Sequence, residues 1–356
     1  MTGMEQTNLA ETTQEAAMLL QKLIAIPSIS RDEAKAADTL EHFMRDRGIE
    51  TQREGNNIWA QAQKFDEKKP TLLLNAHIDT VKPATTWTRN PFEPTIEGDR
   101  LYGLGSNDCG GGLVSLLQTF RILKDEDLDY NLVYLASAEE EVSGKNGFSL
   151  ALPLLPKIDV AIVGEPTGMQ PAIAEKGLMV IDATAHGKSG HAAREEGINA
   201  LYIAVDDINW IKNHKFRHAS QLLGSTKMTV TIIEGGSQHN VIPDECKFTI
   251  DVRTNEFYKN EFIFAYLQKK LKSELKARSF RLSSSYIPIN HPLVEKCISL
   301  GMSPFGSPTL SDQALMPWPS MKLGPGQSSR SHTADEYICF NEIEQAIETY
   351  LKILRG

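Results

Sequence analysis

A histidine and an aspartate stand one residue apart where an apolar run ends, as His77 and Asp79 in the segment "LLLNAHIDTV". In an extended strand, residues i and i+2 share a face, so both side chains project together from the strand's carboxyl end. Ligands collect at that end in open α/β sheets. Asp79 could accept a hydrogen bond from one ring nitrogen of His77 and leave the other nitrogen for a metal. A surface histidine beside a turn aspartate is the competing interpretation.

Further acids and a second histidine stand at similar places. Asp108 occurs in "YGLGSNDCGGGL", Glu165 in "IVGEPTG", and His332 in "LGPGQSSRSHTADE". The G-x-G before Asp108 resembles a dinucleotide fingerprint, but an acid at the third glycine position would repel a pyrophosphate. The alternative is that the glycines let the backbone bend tightly, so that Asp108 presents both oxygens to cations.

Three adjacent glutamates, Glu139 to Glu141, end another apolar run in "YLASAEEEVS". Like charges at the mouth of a sheet repel one another unless a cation neutralises them. A solvated charge cluster is the alternative interpretation of this stretch.

Taken together, five predicted strand ends deliver an imidazole and carboxylate set. Its members are His77, Asp108, a glutamate from 139 to 141, Glu165 and His332. Such a set suits zinc, or manganese or cobalt. If Asp108 bridges two ions, each ion has one histidine and one glutamate besides it, which leaves room for the bound water of a catalytic site.

The elements that position these residues form two groups. Up to about residue 170, strands alternate with helices, which is the pattern of an α/β sandwich. The first helix is predicted over residues 12–26, with a threonine cap and a stop before Pro27.

Between residues 177 and 288 the order becomes β-α-β-β-α-β, with a long helix over 262–277 and a last strand over 279–289. This is the split βαβ order of ferredoxin-like domains. Apolar residues alternate along its strands, as in Met228, Val230 and Ile232. We therefore predict a catalytic domain of residues 1–176 and 289–356 and an inserted lid or dimerisation domain of 177–288.

Composition excludes several classes of protein. With 356 residues, 41% hydrophobic and 23% charged, the chain reads as an ordinary soluble globular protein. A net charge of −9 argues against nucleic-acid binding. The four cysteines form no C-x-x-C, so neither a disulfide framework nor a thiolate zinc site is indicated. No signal peptide or membrane span is visible, so we expect a cytoplasmic protein.

The motifs resemble those of the M20 metallopeptidase and deacylase family, especially its acetylornithine deacetylases and succinyl-diaminopimelate desuccinylases. The matching segments occur in family order and are "AHIDTV", Asp108 before a glycine run, "SAEEE", "GEPT", "SGHAA" and "GPGQSSRSHTADE". The resemblance implies a zinc-aminopeptidase-like α/β fold with the inserted domain. The usual lysine two residues after the bridging aspartate is Gly110 here, which puts substrate detail in doubt rather than activity.

The resemblance also implies two divalent metal ions, with zinc expected and cobalt or manganese as alternatives. His77, Asp108 and Glu165 would hold one ion. Asp108, Glu141 and His332 would hold the other, while Asp79 would orient His77. A cis peptide would follow the bridging aspartate, between Asp108 and Cys109.

The register of the glutamates decides the catalytic base. The family reads small–Asp–Glu–Glu, which places Glu139 at the aspartate position, Glu140 as the base and Glu141 as a ligand. A shift of one residue would make Glu139 the base, and both registers stay open at this point.

Three residues of the inserted domain carry over from the resemblance. His191 in "SGHAA" would reach the active site of the neighbouring subunit of a homodimer and stabilise the oxyanion. Asn240 and Arg253 would contact substrate, and Arg253 suits a carboxylate held through two parallel hydrogen bonds. A plain salt bridge at a strand end is an equal alternative for Arg253.

The expected function is metal-dependent hydrolysis of the amide of an N-acyl amino acid, a small-molecule substrate. N-acetylornithine or N-succinylornithine is preferred, which implies arginine biosynthesis. N-acetylcitrulline, N-succinyl-diaminopimelate and dipeptides are the alternatives. A non-catalytic binding protein on the same fold would be expected to lack ligands, and every expected ligand is present. An NAD-binding enzyme is disfavoured by Asp108.

Overall fold

The computed structural model describes residues 3–194 and 196–355 of the chain, with side chains from residue 9 onward. They form two compact units. The first comprises the chain up to Ile173, Ile287–Phe305 and the chain from Ser311, and the second comprises Ala174–Tyr286 and Gly306–Leu310. The division expected from the sequence, into a catalytic domain of 1–176 and 289–356 and an inserted domain of 177–288, stays a prediction.

A mixed sheet forms the centre of the first unit. In spatial order its strands are Gln52–Glu54, Asn57–Gln61, Asn131–Ser137, Thr71–His77, Val160–Val163, Ser320–Lys322 and Ala172–Glu175. The helices of this unit are Gly3–Ile24, Ala34–Arg45, Gly111–Leu123, Phe148–Ala151, Pro292–Ser299 and Phe340–Leu354. No helix among the described residues has the length and apolar character that a bilayer crossing requires.

Four neighbouring strands of this sheet run parallel, from Asn131–Ser137 to Ser320–Lys322 in spatial order. Both faces of the sheet are covered: Leu73 and Val133 join a core beneath Phe148 on one side. On the other side the helix Gly111–Leu123 packs against the parallel strands. Parallel strands buried on both faces require near-continuous apolar runs, which is why these segments lack polar alternation. The α/β class expected from the sequence is confirmed.

A separate three-stranded sheet links distant parts of the first unit. Its strands are Tyr337–Cys339, Arg100–Tyr102 and Thr95–Glu97, all antiparallel. It therefore ties the chain just before Asp108 to the chain just after His332.

The first helix is longer than the sequence predicted. It begins at Gly3 instead of following a threonine cap at residue 12. The Thr13 hydroxyl donates to the Leu9 carbonyl at 2.9 Å, four residues back. A threonine can satisfy its hydroxyl inside a helix in this way, so its presence does not require a helix start.

The second unit has a four-stranded antiparallel sheet. Its strands in spatial order are Lys227–Gly235, Glu245–Thr254, Gly177–His186 and Glu274–Ala277. Its helices are Ala200–Asn213 and Asn260–Gln268. Its short strands are Gly190–His191, Ala219–Ser220, Gly224–Ser225, Val241–Ile242 and Ser285–Tyr286. The strand Phe305–Ser307 belongs in part to each unit. The main elements follow the order β-α-β-β-α-β, and buried residues alternate along Gly177–His186, as one helix-covered face requires.

Two details of this unit differ from the prediction. The helix predicted over 262–277 ends at Gln268, and Glu274–Ala277 is the last strand of the sheet. Of the strand predicted over 279–289 only Ser285–Tyr286 forms, and it pairs with Ala174 and Glu175 instead of joining this sheet. The Asp207 carboxylate accepts hydrogen bonds from the backbone N–H groups of Lys272 and Ser273, which fixes the chain between helix and strand. A register shift after Val230 also leaves Ile232 half exposed, against the predicted alternation.

Candidate metal centre

Most of the predicted site residues lie at one edge of the central sheet. His77 is the last residue of its strand, and Glu140 and Glu141 lie in the short helical turn after Asn131–Ser137. Glu165 follows Val160–Val163 by two residues. Because the carboxyl ends of parallel strands meet at the same edge, these side chains converge. His332 reaches them from the loop that follows Ser320–Lys322.

Asp108 does not end a strand, contrary to the sequence-based expectation. It lies in the short turn Ser106–Gly110, between the strand Arg100–Tyr102 and the helix Gly111–Leu123. Gly105, at φ 75°, supplies the left-handed conformation that begins this turn. The peptide bond between Asp108 and Cys109 is cis, as the family resemblance implied.

The Asp108 carboxylate lies between the two histidines. Its Oδ1 is 3.3 Å from His77 Nε2, and its Oδ2 is 3.6 Å from His332 Nε2. Each oxygen of one carboxylate therefore faces a different imidazole, which is the arrangement that a bridging ligand between two cations needs.

The first predicted ligand group is His77, Asp108 and Glu165. Glu165 Oε1 lies 3.7 Å from His77 Nε2. That oxygen is buried and has no hydrogen-bond partner among the described residues. Burial raises the pKa of Glu165 to about 8, and the nearby Asp108 charge adds to the shift. An orphaned buried carboxylate is costly, and a cation would satisfy it, so this group fits a metal ion.

The second group joins Asp108, Glu141 and His332. His332 Nε2 lies 2.9 and 3.2 Å from the two oxygens of Glu141. The hydrogen bond to Glu141 raises the pKa of His332 to about 9, although partial burial opposes the shift. These atoms, one from each side chain, lie within 4.8 Å of one another, so a single ion can touch all three.

Cys109 lies close to the first group but has the chemistry of a structural thiol. Its Sγ is within ligand distance of His77 and Glu165. Burial raises its pKa to about 12, and it accepts a hydrogen bond from the His77 backbone N–H at 3.2 Å. The thiol is therefore occupied by the backbone that positions His77.

The orientation of His77 differs in detail from the expectation. Its Nδ1 lies 2.9 Å from the backbone carbonyl oxygen of Asp79 and 3.5 Å from the Asp79 carboxylate. A proton on Nδ1 would be donated to that carbonyl, which leaves the Nε2 lone pair for a metal. The main chain of Asp79, more than its side chain, orients the imidazole.

The Asp79 carboxylate is occupied by another task. It accepts hydrogen bonds from the backbone N–H groups of Glu140 at 3.0 Å and Glu141 at 3.2 Å, and from the Ser30 hydroxyl at 2.6 Å. Burial opposes its ionisation, but hydrogen bonds from His77, Ser30 and the Glu140 N–H lower the pKa of Asp79 overall. Asp79 thus positions the two glutamates as well as the histidine, a role that the H-x-D spacing did not indicate.

The three adjacent glutamates have three different environments. The Glu139 carboxylate accepts hydrogen bonds from the backbone and side-chain nitrogens of Asn146, at 3.2 and 2.9 Å. Glu140 Oε2 lies 4.0 Å from His77 Nε2, and burial raises the pKa of Glu140 well above its usual value. Glu141 lies beside His332. Glu140 and Glu141 face the ligand groups, whereas Glu139 is held by Asn146.

Glu336 is a buried residue of the site that sequence reasoning missed. Its carboxylate accepts hydrogen bonds from the backbone N–H groups of Gly105, Asn107 and Asp108. Burial raises its pKa to about 8, and these three donors oppose the shift. Its partners are main-chain groups more than 200 residues away in sequence, so no motif spacing could have revealed them.

The remaining predicted residues lie in the second unit. His191 pairs with Val241, and the Ala192 N–H donates to the Asn240 carbonyl at 2.9 Å, which brings His191 and Asn240 to neighbouring loops. Arg253 Nε and Nη2 donate to the two oxygens of Asp251 at 2.9 and 3.1 Å. The guanidinium thus forms the salt bridge that the sequence left as an alternative.

Comparison with known proteins accounts for this arrangement. The sequence model of peptidase family M20/M25/M40 matches residues 73–356, a span that contains every candidate ligand described above. The chain belongs to this family. The M20 enzymes are metal-dependent, and the chain is accordingly a metal-dependent hydrolase of amide bonds. The expected family and reaction class are confirmed.

Two relatives and two solved structures illustrate the likeness. The acetylornithine deacetylase of Erwinia tasmaniensis is 28% identical over 353 residues, covering 90% of this chain and 92% of that protein. An acetylornithine deacetylase of Shigella sonnei is also 28% identical, covering 94% and 96% of the two chains. The aminopeptidase PepT of Bacillus cereus superposes with a TM-score of 0.75 at 17% identity, covering 96% of this M20 chain and 98% of its own. The dinuclear metal-binding M20 peptidase YXEP of Bacillus subtilis superposes with a TM-score of 0.72 at 17% identity, covering 97% and 98%.

Proposed function

We propose that this chain removes the acyl group from an N-acyl amino acid, with N-acetylornithine or N-succinylornithine as the preferred substrate in arginine biosynthesis. The observation that carries the proposal is the position of Asp108, whose two oxygens face His77 at 3.3 Å and His332 at 3.6 Å. The similarity to acetylornithine deacetylases along nearly the whole chain supports the choice of substrate.

Two divalent ions belong to this site in the proposal. His77, Asp108 and Glu165 hold one ion, and Asp108, Glu141 and His332 hold the other. Zinc is proposed, with cobalt or manganese as alternatives, because the donors are imidazoles and carboxylates. When bound, such ions lower the pKa of a coordinated water and polarise the amide carbonyl.

Glu140 is proposed as the general base. It accepts the proton of the attacking water and returns it to the leaving amine. Its buried carboxylate beside His77 supports this role, because burial raises its pKa and so makes it a stronger base. The involvement of Glu139 with Asn146 argues against the alternative register. Asp79 keeps Glu140 and Glu141 in place through their backbone N–H groups.

Three residues of the second unit complete the proposal. His191 stabilises the oxyanion in the active site of a neighbouring subunit. Its Nδ1 accepts a hydrogen bond from the Ala193 N–H at 3.1 Å, so a neutral ring carries its proton on Nε2, the donor that an oxyanion needs. Asn240 and Arg253 contact the substrate, and Arg253 would have to exchange Asp251 for a substrate carboxylate.

The role of His191 requires a homodimer, which we also propose. Lys227–Gly235 is an edge strand of the four-stranded sheet, and its Ile232 and Ile233 are each 50% exposed. An exposed apolar edge strand is a ready surface for pairing with another chain. Size-exclusion chromatography with light scattering measures the molar mass and so tests this proposal. The molar mass of a monomer at the concentration of the activity assay would contradict it.

Substrate release assays test the proposed reaction. The metal-loaded protein is offered N-acetylornithine, N-succinylornithine, N-acetylcitrulline, N-succinyl-diaminopimelate and a set of dipeptides, and free amine is measured. The Asp108→Asn variant serves as the inactive control. We expect cleavage of an ornithine derivative with the highest kcat/KM. Faster cleavage of dipeptides than of every N-acyl amino acid would replace the proposal with a dipeptidase.

A further inference from the structure

Glu336 makes an unusual set of contacts for a side chain that ligates nothing. Its Oε1 accepts from the N–H groups of Asn107 and Asp108, both at 2.8 Å, and its Oε2 accepts from Gly105 at 3.1 Å. Its exposed fraction is only 2%. Three backbone N–H donors thus fix both oxygens of a buried side chain, so the side chain and the turn hold each other in place.

The same turn is fixed to the same segment in two further ways. The backbone N–H of Gly103 donates to the Glu336 carbonyl at 3.0 Å. The Asn107 side chain accepts from the Gln327 N–H at 2.9 Å and donates to the Gln327 carbonyl at 3.1 Å. The turn that carries Asp108 therefore bonds to Gln327 and to Glu336, the first and last residues of the segment 327–336. His332 lies within that segment.

We propose that Glu336 is a positioning residue that holds the Asp108 carboxylate at its place between His77 and His332 and so sets the spacing of the two metal positions. The inference rests on the proposed function for the identity of the ligands. In addition to the ligands themselves, the site then requires Glu336, because Asp108 can bridge two ions only if its backbone stays where Glu336 holds it.

A glutamine at this position separates the clamp from mere space filling. It has nearly the same size, but one of its two terminal groups is a donor and cannot accept from a backbone N–H. Either Gly105 or the pair Asn107 and Asp108 would therefore lose its acceptor. Changes to groups that orient metal ligands commonly weaken metal binding by about 10- to 100-fold, and we expect that loss in Glu336→Gln.

Asp335 supplies a matched control. Its carboxylate also accepts three hydrogen bonds, from the Thr88 N–H and hydroxyl and the Arg89 N–H, but these lie outside the ligand turn. Asp335→Asn therefore removes a similar set of hydrogen bonds from the segment 327–336 without touching the turn that carries Asp108. We expect its metal affinity to match that of the unaltered protein.

The test titrates Co²⁺ into the metal-free full-length proteins, using calorimetry for affinity and visible absorption for the coordination of each ion. Circular dichroism and thermal unfolding establish that each variant is folded. We expect two ions in the unaltered protein and in Asp335→Asn, and about 10- to 100-fold weaker binding with altered cobalt bands in Glu336→Gln. Unaltered affinity and spectrum in Glu336→Gln would overturn the inference.

A measurement without substitution covers the case of a variant that does not fold. In the metal-free unaltered protein, the amides of Gly105, Asn107 and Asp108 should exchange with deuterium far more slowly than those of exposed loops. Rapid exchange at all three would overturn the clamp. Failure of the unaltered protein to bind two ions would instead overturn the proposed function, so the two failures are distinguishable.

Discussion

Replacing Glu140 by glutamine should stop turnover and leave both ions bound. The side chain of Glu140 is 10% exposed and its Oε2 lies 4.0 Å from His77 Nε2. The nearer carboxylates, of Asp108 and Glu165, are metal ligands in the proposal, so they are not free to serve as the base. Loss of a general base commonly costs about 10²- to 10⁴-fold in rate. At about 1.4 kcal/mol per tenfold, this corresponds to about 3–5 kcal/mol of transition-state stabilisation. We expect the loss in kcat, with metal content unchanged.

The same substitution should not destabilise the metal-free protein. Burial raises the pKa of Glu140, so its ionised form is disfavoured in the folded state. When a carboxyl has a higher pKa in the folded than in the unfolded protein, the folded protein becomes less stable as the pH rises above the unfolded pKa. Glutamine does not ionise, so it causes no such loss. At pH 7 the metal-free Glu140→Gln variant should therefore unfold at the same temperature as the unaltered protein or higher, as followed by circular dichroism.

Glu139→Gln is the matched control. The glutamine amide NH₂ would face one of the two Asn146 nitrogens that now donate to Glu139, and that nitrogen would lose its acceptor. A buried donor without an acceptor lowers the free energy of unfolding by about 1–3 kcal/mol. Activity per folded molecule should stay within a few fold of the unaltered protein. The reasoning is refuted if Glu140→Gln remains active while folded, metal-loaded Glu139→Gln is dead.

Three further expectations follow from the site. In the metal-free protein, His332 (pKa about 9) and Glu165 (pKa about 8) both hold protons at pH 7. Metal binding should therefore release protons, and the metal affinity should rise between pH 7 and 9. Calorimetry in buffers of different ionisation enthalpy measures the released protons, and a binding heat that does not depend on the buffer would contradict this expectation. Cys109→Ser should keep both ions by metal analysis, since the thiol bonds to backbone, and loss of one ion would identify it as a ligand. Gly112→Ala should lower the free energy of unfolding by more than the usual cost of overpacking, about 1–3 kcal/mol, because an added Cβ would overlap the Gly164 carbonyl oxygen. Thermal unfolding measures this, and an unchanged transition temperature would show that the two segments can separate.

The sequence could predict the location of the site because of how parallel sheets are built. His77, Glu141 and Glu165 each stand at or just after the end of a short apolar run that suits a buried parallel strand, and parallel strands deliver their carboxyl ends to one edge. Residue type then indicated the ligand chemistry. The family resemblance added what spacing could not, including the roles assigned to Asp108 and Glu140 and the cis peptide after Asp108.

What the sequence could not predict are contacts that depend on backbone position. Asp79 bonds to the N–H groups of Glu140 and Glu141, and Glu336 bonds to the turn at Asp108. Any residue type supplies a backbone N–H, so these pairings leave no trace in composition or periodicity. The helix predicted over 262–277 failed for a similar reason, since Asp207, from another part of the chain, holds the backbone of Lys272 and Ser273 between the shorter helix and the last strand.

In the proposed site, two ions share the carboxylate of Asp108. Crystals of the zinc-loaded protein, measured on both sides of the zinc absorption edge, locate the ions directly. We predict two anomalous peaks on opposite sides of the Asp108 carboxylate, each within about 2.0–2.2 Å of a different oxygen. A single peak, or a second peak held by groups other than Asp108, would contradict the account.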